Sequence, residues 1–137
     1  MSVTSTLRQF NRTYTQRIGV LEESYLGTGR PLNASRLLFE IGSAGTVTIR
    51  DLRDRLGLDS GYVTRMLARL DSENLVRLRP DPADGRRRIV ELTAKGRAAV
   101  AELEERSENL AAELVAPLTP RQQQRLAEAL AFELHGV

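Results

Sequence analysis

The sequence predicts a mainly α-helical fold carrying one small β-hairpin. Three observations lead there. Apolar residues recur at steps of three and four over most of the chain, the period of a helix with one buried face. Two of these helical stretches are short and meet at a tight, glycine-containing turn. Between residues 76 and 92 the apolar period drops to two, as in strands.

Residues 3 to 26 place Leu7, Phe10, Tyr14, Ile18, Leu21 and Tyr25 on one face of a first helix, with Arg8, Arg12 and Arg17 on the polar side. Gly27, Gly29 and Pro31 stop it. Asn33 can cap a second helix through Ile41 that buries Leu37, Leu38 and Ile41, and Gly42 and Gly45 end that one. Thr48 can cap a short third helix with Asp51 at its N3 position and Ile49, Leu52 and Leu56 inward; Gly57 closes it. Asp59 or Ser60 can then cap a helix through about Asp71, with Val63, Met66, Leu67 and Leu70 on its inner face. Together the two short helices form a helix-turn-helix.

Val76 to Arg79 and Ile89 to Leu92 are the strand-like runs, and between them lies the basic tip Pro80-Asp81-Pro82-Ala83-Asp84-Gly85-Arg86-Arg87-Arg88. Thr93 caps a long helix from Ala94 to about Ala116, which Pro117 breaks. Thr119 and Pro120 are the cap and first-turn pair of a last helix through Leu134. The whole reads as one compact domain, residues 1–137.

Composition narrows the function. With no cysteine and one histidine, His135, the 137 residues exclude thiol chemistry and cysteine-based metal sites and leave too few nitrogen donors for most transition metals. No Gly-rich phosphate loop or paired-carboxylate motif is present, so the expectation is no catalytic site, no metal and no cofactor. No apolar run approaches the roughly 20 residues of a membrane span, and the N-terminus lacks a signal-peptide pattern; the expected compartment is the cytoplasm, with no membrane partner.

The formal charge of +2 conceals a polarised chain. Residues 50 to 97 carry twelve basic against eight acidic side chains, and residues 98 to 137 carry three against seven. A basic centre and an acidic end fit a protein whose middle meets a polyanion. All basic residues but Lys95 are arginine, the side chain suited to bidentate recognition of phosphate, although a GC-rich genome produces the same skew.

Within that centre, Ser60, Gly61, Tyr62, Thr64 and Arg65 project from the start of the second short helix. Tyr62 or Thr64 can meet a thymine methyl or a phosphate, and Arg65 a guanine or the backbone. In the hairpin, Arg86, Arg87 and Arg88 are of the type drawn into a narrow, electronegative minor groove, with Asp84 placed to orient Arg86. Strand alternation keeps the three from all facing one way. Thr48, Arg50 and Arg69 complete the candidate DNA contacts.

The stretch LGLDSGYVTRMLARLDSENLVRLRPDPADGRRRIVELTAKG closely resembles the winged helix-turn-helix of the MarR family of bacterial transcription regulators. Asp84-Gly85-Arg86 matches the family's Asp-x-Arg wing, and Leu92-Thr93-Ala94-Lys95-Gly96 its Leu-Thr-x-x-Gly entry to the long helix. Ala68 departs, standing where an acidic residue is common. The resemblance implies a winged helix-turn-helix (residues 32–96), a long connecting helix (94–116), and N- and C-terminal dimerisation helices (1–30 and 117–137). It also implies a homodimeric, bacterial DNA-binding regulator, usually a repressor. Its recognition helix would enter the major groove of double-stranded DNA and its wing the minor groove, on a pseudo-palindromic operator.

Family members often bind small aromatic or lipophilic anions between dimerisation helices and DNA-binding lobe. Tyr14, Arg17, Tyr25, Arg36 and Phe39 are the candidates here, with arginine for the charge and rings for the walls. Core packing accounts for the rings equally well, and Arg36 is also spaced for a helix-surface pair with Glu40. The N-terminal string FNRTYTQRIGVLEESYLG is similar to the regulator half of bacterial chains in which a MarR-type domain precedes an acetyltransferase. A chain ending at Val137 leaves no room for that enzyme, so the alternatives are a stand-alone regulator or the regulatory part of a larger fused chain.

Overall fold

The computed structural model describes residues 2–19 and 24–136. Helix α1 (Val3–Ile18) starts where the Ser2 hydroxyl accepts the Ser5 N–H and ends at Gly19, whose φ of 71° lets its N–H turn back onto the Thr15 and Gln16 carbonyls. The helix expected to reach residue 26 thus stops at Ile18. Apolar steps persist beyond that point, but a left-handed glycine outweighs them. Leu21 lies outside the described residues, and Tyr25 belongs to a separate 3-10 turn, Tyr25–Gly27.

Helix α2 (Leu32–Ala44) begins after Pro31, so Asn33 lies inside its first turn and does not cap it. Gly42 does not end the helix either; Gly45 does, with φ 77°. A β-carbon at Gly42 would meet Leu92 Cδ1 at 3.0 Å, so its missing side chain serves a close approach to the sheet.

Strand β1 (Thr46–Thr48) runs directly into helix α3 (Ile49–Leu56), and α4 (Ser60–Ser72) follows the Gly57 turn. Strands β2 (Val76–Pro80) and β3 (Arg88–Leu92) form the expected hairpin, with Val76 opposite Leu92 and Pro80 opposite Arg88. The three-residue β1 was not foreseen, being too short to show a period. It pairs antiparallel with β3, Val47 against Val90, giving the sheet order β1-β3-β2.

Leu37 and Ile41 of α2, Leu52 of α3, and Val63, Leu67 and Leu70 of α4 close on Leu75, Val76 and Val90, all essentially inaccessible to water. At about 1.5–3 kcal/mol for each fully buried aliphatic side chain, this cluster holds the helix-turn-helix and the sheet as one lobe.

The chain divides into two compact units, one up to Glu104 and the other from Glu105, the boundary falling within α5 (Ala94–Val115). In the second unit α6 (Pro120–His135) opens with a full capping box, Thr119 and Gln122 exchanging side-chain and backbone hydrogen bonds. The Gln123 amide donates to the Val115 and Leu118 carbonyls, satisfying acceptors that the break at Pro117 leaves open.

Candidate nucleic-acid interface

Local chemistry sets both ends of the helix-turn-helix. Thr48 Oγ1 accepts the Asp51 N–H at 3.1 Å, and Gly57, at φ 64°, turns the chain out of α3. Asp59 then caps α4 by accepting the Tyr62 N–H at 3.2 Å. Val63, Met66, Leu67 and Leu70 are buried, which leaves Ser60, Gly61, Thr64 and Arg65 exposed on the opposite side of the first two turns. Gly61 makes room: a β-carbon there would stand 3.2 Å from Arg65 Nη1.

Two expected contacts sit differently. Tyr62 is half-buried at the margin of the core, its hydroxyl accepting from Asn33 Nδ2 at 3.3 Å. Arg69 lies in the last turn of α4, where its Nε reaches Glu73 at 3.3 Å.

At the wing tip Asp84 holds two arginines. Its Oδ1 accepts from both the backbone N–H (3.1 Å) and Nε (3.2 Å) of Arg86, and Arg87 Nε lies 3.7 Å from Oδ2. These bonds, the backbone one foremost, pull the Asp84 carboxyl below the usual aspartate range. Arg86 is nevertheless 92% exposed along its side chain, oriented and free to meet a ligand. Strand β3 begins only at Arg88, so strand alternation does not separate Arg86 from Arg87. All three arginines line one cleft of about 370 Å³, whose other wall is Thr48, Ile49, Arg50 and Asp51 at the start of α3. Sequence order gave no sign that residues 48–51 and 86–88 face each other; the β1–β3 pairing brings them together.

The Leu92-Thr93-Ala94-Lys95-Gly96 run clasps the far end of the wing to the turn that follows α4. Thr93 donates its hydroxyl to the Asn74 carbonyl and its N–H to that of Leu75, while Lys95 Nζ reaches the Glu73 carbonyl at 3.0 Å. Sequence reasoning passed over Glu73, whose carboxylate lies 3.6 Å from Arg30 and 3.3 Å from Arg69. It also passed over Glu91, which takes Arg79 at 3.3 and 3.4 Å and thereby neutralises part of the basic centre.

The ligand candidates fall into separate neighbourhoods. Tyr14 stacks on Phe10, ring centres 5.5 Å apart, and stands close enough to Tyr25 to add to the upward pKa shift that burial imposes on that phenol. Arg17 is on α1 with Phe10 and Tyr14. Arg36 instead spans α2 and α3, donating to Asn33 Oδ1 at 3.2 Å and the Leu56 carbonyl at 3.3 Å; Glu40 pairs with Arg55 rather than with it. Phe39, half-exposed, lines a second cleft of about 380 Å³ with Ser43, Leu92, Arg97 and Val100.

A recognition-type helix packed on a short helix, with a three-stranded wing bearing an Asp-held arginine, defines a winged helix-turn-helix DNA-binding protein. Residues 28–87 match the model of the MarR family. An uncharacterized HTH-type transcriptional regulator of Bacillus subtilis (strain 168), YdgJ, is 30% identical over 114 residues, 83% of this chain and 68% of that protein. Wild-type MarR from E. coli in its apo form superposes with a TM-score of 0.79 at 25% identity, covering 98% of this chain and 97% of that one. A mutant MarR from E. coli complexed with operator DNA has a TM-score of 0.67 at 26% identity, over 98% and 99% of the two chains. This chain belongs to the MarR family of transcriptional regulators, DNA-binding proteins and not enzymes. Among the described residues no helix is long and apolar enough to cross a membrane.

Proposed function

We propose that the protein is a homodimeric repressor that binds a pseudo-palindromic operator in double-stranded DNA and is released by a small aromatic or lipophilic anion. The observation that carries this reading is the joint placement of two arginine-bearing elements on one lobe with a shared core. Ser60, Gly61, Thr64 and Arg65 are exposed at the start of α4, and Arg86 is exposed yet aimed by Asp84 on the wing. The first set suits base edges in the major groove and the second the minor groove. Thr48, Arg50, Arg87 and Arg88, sharing one cleft, suit the intervening phosphates. The relative from E. coli that was solved with operator DNA supports the same use of the fold.

Dimerisation is supported by large apolar side chains left in water. On α1, Leu7 and Phe10 are 62% and 54% exposed, and on α6 Leu130 and Phe132 are 51% and 59%. A second copy of the chain covers both faces and repeats the reading helix about one DNA turn away. An anion held near Tyr14, Arg17 and Tyr25, or in the Phe39 cleft, acts by preferring a dimer whose reading helices are wrongly spaced; it weakens operator binding by its differential affinity for the two states.

Selection of bound fragments from a genomic library, repeated in the presence of aromatic carboxylates, tests this. The expected result is an enriched inverted repeat that the dimer binds and an effective anion releases. Absence of enrichment at physiological salt overturns the DNA-reading assignment, and a non-repeated site overturns the dimeric one.

A further inference from the structure

A polar chain joins the three helices of the DNA-reading lobe. Arg36 Nη2 donates to the Leu56 carbonyl at the end of α3, Arg36 Nη1 donates to Asn33 Oδ1, and Asn33 Nδ2 donates to the hydroxyl of Tyr62 in the first turn of α4. The direction of this chain is chemically fixed. A guanidinium only donates, so the amide oxygen of Asn33 must face Arg36 and its NH₂ must face the tyrosine.

Tyr62 is therefore held as an acceptor, and its own hydroxyl hydrogen has no acceptor among the described residues. A phenol can donate and accept at once, and a half-buried one left with an open donor is costly unless something outside the chain takes it. Tyr62 also stands between two exposed reading positions, Gly61 and Thr64, and Thr64 already spends its hydroxyl on the Ser60 carbonyl at 3.0 Å.

We propose that the Tyr62 hydroxyl donates to a phosphate oxygen of the DNA backbone, and that Asn33, fixed by Arg36, is the positioning residue that keeps that hydrogen outward. The inference deepens the DNA-reading proposal above and rests on it. It also gives Arg36 a task on the DNA side of the lobe in place of an anion contact.

The test uses a duplex selected from a random library by the wild-type protein, with affinity measured by fluorescence anisotropy across a salt series. Tyr62→Phe keeps the ring and removes only the donor; affinity falls about tenfold, the scale of a hydrogen bond to a charged group. The salt slope stays unchanged, because a neutral donor releases no counterion. Asn33→Asp offers the hydroxyl an acceptor and turns its hydrogen inward. It should weaken binding in the wild-type background and much less in the Tyr62→Phe background.

Wild-type affinity for Tyr62→Phe, or an equal loss from Asn33→Asp in both backgrounds, overturns the inference. So does a lowered Tm with DNA affinity intact well below the melting temperature, the outcome that a purely structural tie gives. If the wild-type protein selects no duplex at all, it is the underlying DNA-reading proposal that fails.

Discussion

The carbonyl oxygen of Leu75 occupies the space that a side chain at Gly96 would need. Gly96 lies in the first turn of α5, where Thr93 has already drawn the chain against Asn74 and Leu75. By helix propensity alone Gly96→Ala would stabilise by about 1 kcal/mol. Here the obstacle is backbone and cannot rotate away, so the expected net loss is about 1–3 kcal/mol. Gly42→Ala is the contrast: its new methyl meets only side-chain ends, Leu92 Cδ1 at 3.0 Å and Val100 Cγ2 at 3.9 Å, and propensity and crowding should nearly cancel. Urea denaturation of both variants checks the pair; equal effects would falsify the backbone argument.

Arg65 and Arg86 should fail in different ways. Arg86→Ala removes a wing contact and weakens binding to most sequences. Arg65→Ala also relaxes the preference at one position in each half-site, by about 1–3 kcal/mol of discrimination. Repeating the fragment selection with each variant reads both effects, and unchanged affinity for the two at physiological salt sinks their assignment.

The Asp84 tether gives the wing a predictable acid limit. Its carboxyl titrates below the ordinary aspartate value of 3.8 because the bound Arg86 N–H and guanidinium favour the charged form. A depressed pKa means that the tether is intact above that ordinary value and is lost as pH falls through the lower, folded-state one. The Arg86 Nε–H signal in NMR spectra should therefore stay fixed from neutral pH down to about 4, near the ordinary carboxylate value, and shift only at more acidic pH. Movement already between pH 5 and 7 would contradict the assignment. Asp84→Asn should show the loosened signal at neutral pH.

Burying a charge between copies disrupts them strongly. Leu130→Glu on α6, a half-exposed position in the single chain, should shift dimer to monomer in sedimentation and weaken operator binding with it. A dimer as tight as wild type would remove α6 from the proposed interface.

Local rules reached most of the lobe. Thr48, Gly57, Asp59 and the inward set Val63, Met66, Leu67 and Leu70 were legible because caps and helical spacing are written within a few residues of one another. The same holds for the Asp84–Arg86 pair, two positions apart. What escaped depended on partners distant in sequence. Asn33 looked like a cap but points to Tyr62, 29 positions away, and Arg36 looked like a partner for Glu40 but reaches Leu56. Gly42 looked like a helix end because its tertiary neighbour Leu92 cannot be seen from residues 38 to 46. The first helix was overextended because apolar spacing does not register the conformation of Gly19.

The short strand β1 also decides where this chain can tolerate a change of length. Thr46–Thr48 pairs with Ile89–Glu91 and runs without a spacer into α3, so the same three residues anchor the wing and begin the helix-turn-helix. One residue added there would slip the register and turn Val47 out of the core. Residues added between Asp81 and Arg87 would lengthen the tip and leave every strand pair in place. Natural variation in reach along DNA is therefore expected as insertions at the hairpin tip, with the Gly45–Ile49 junction constant in length.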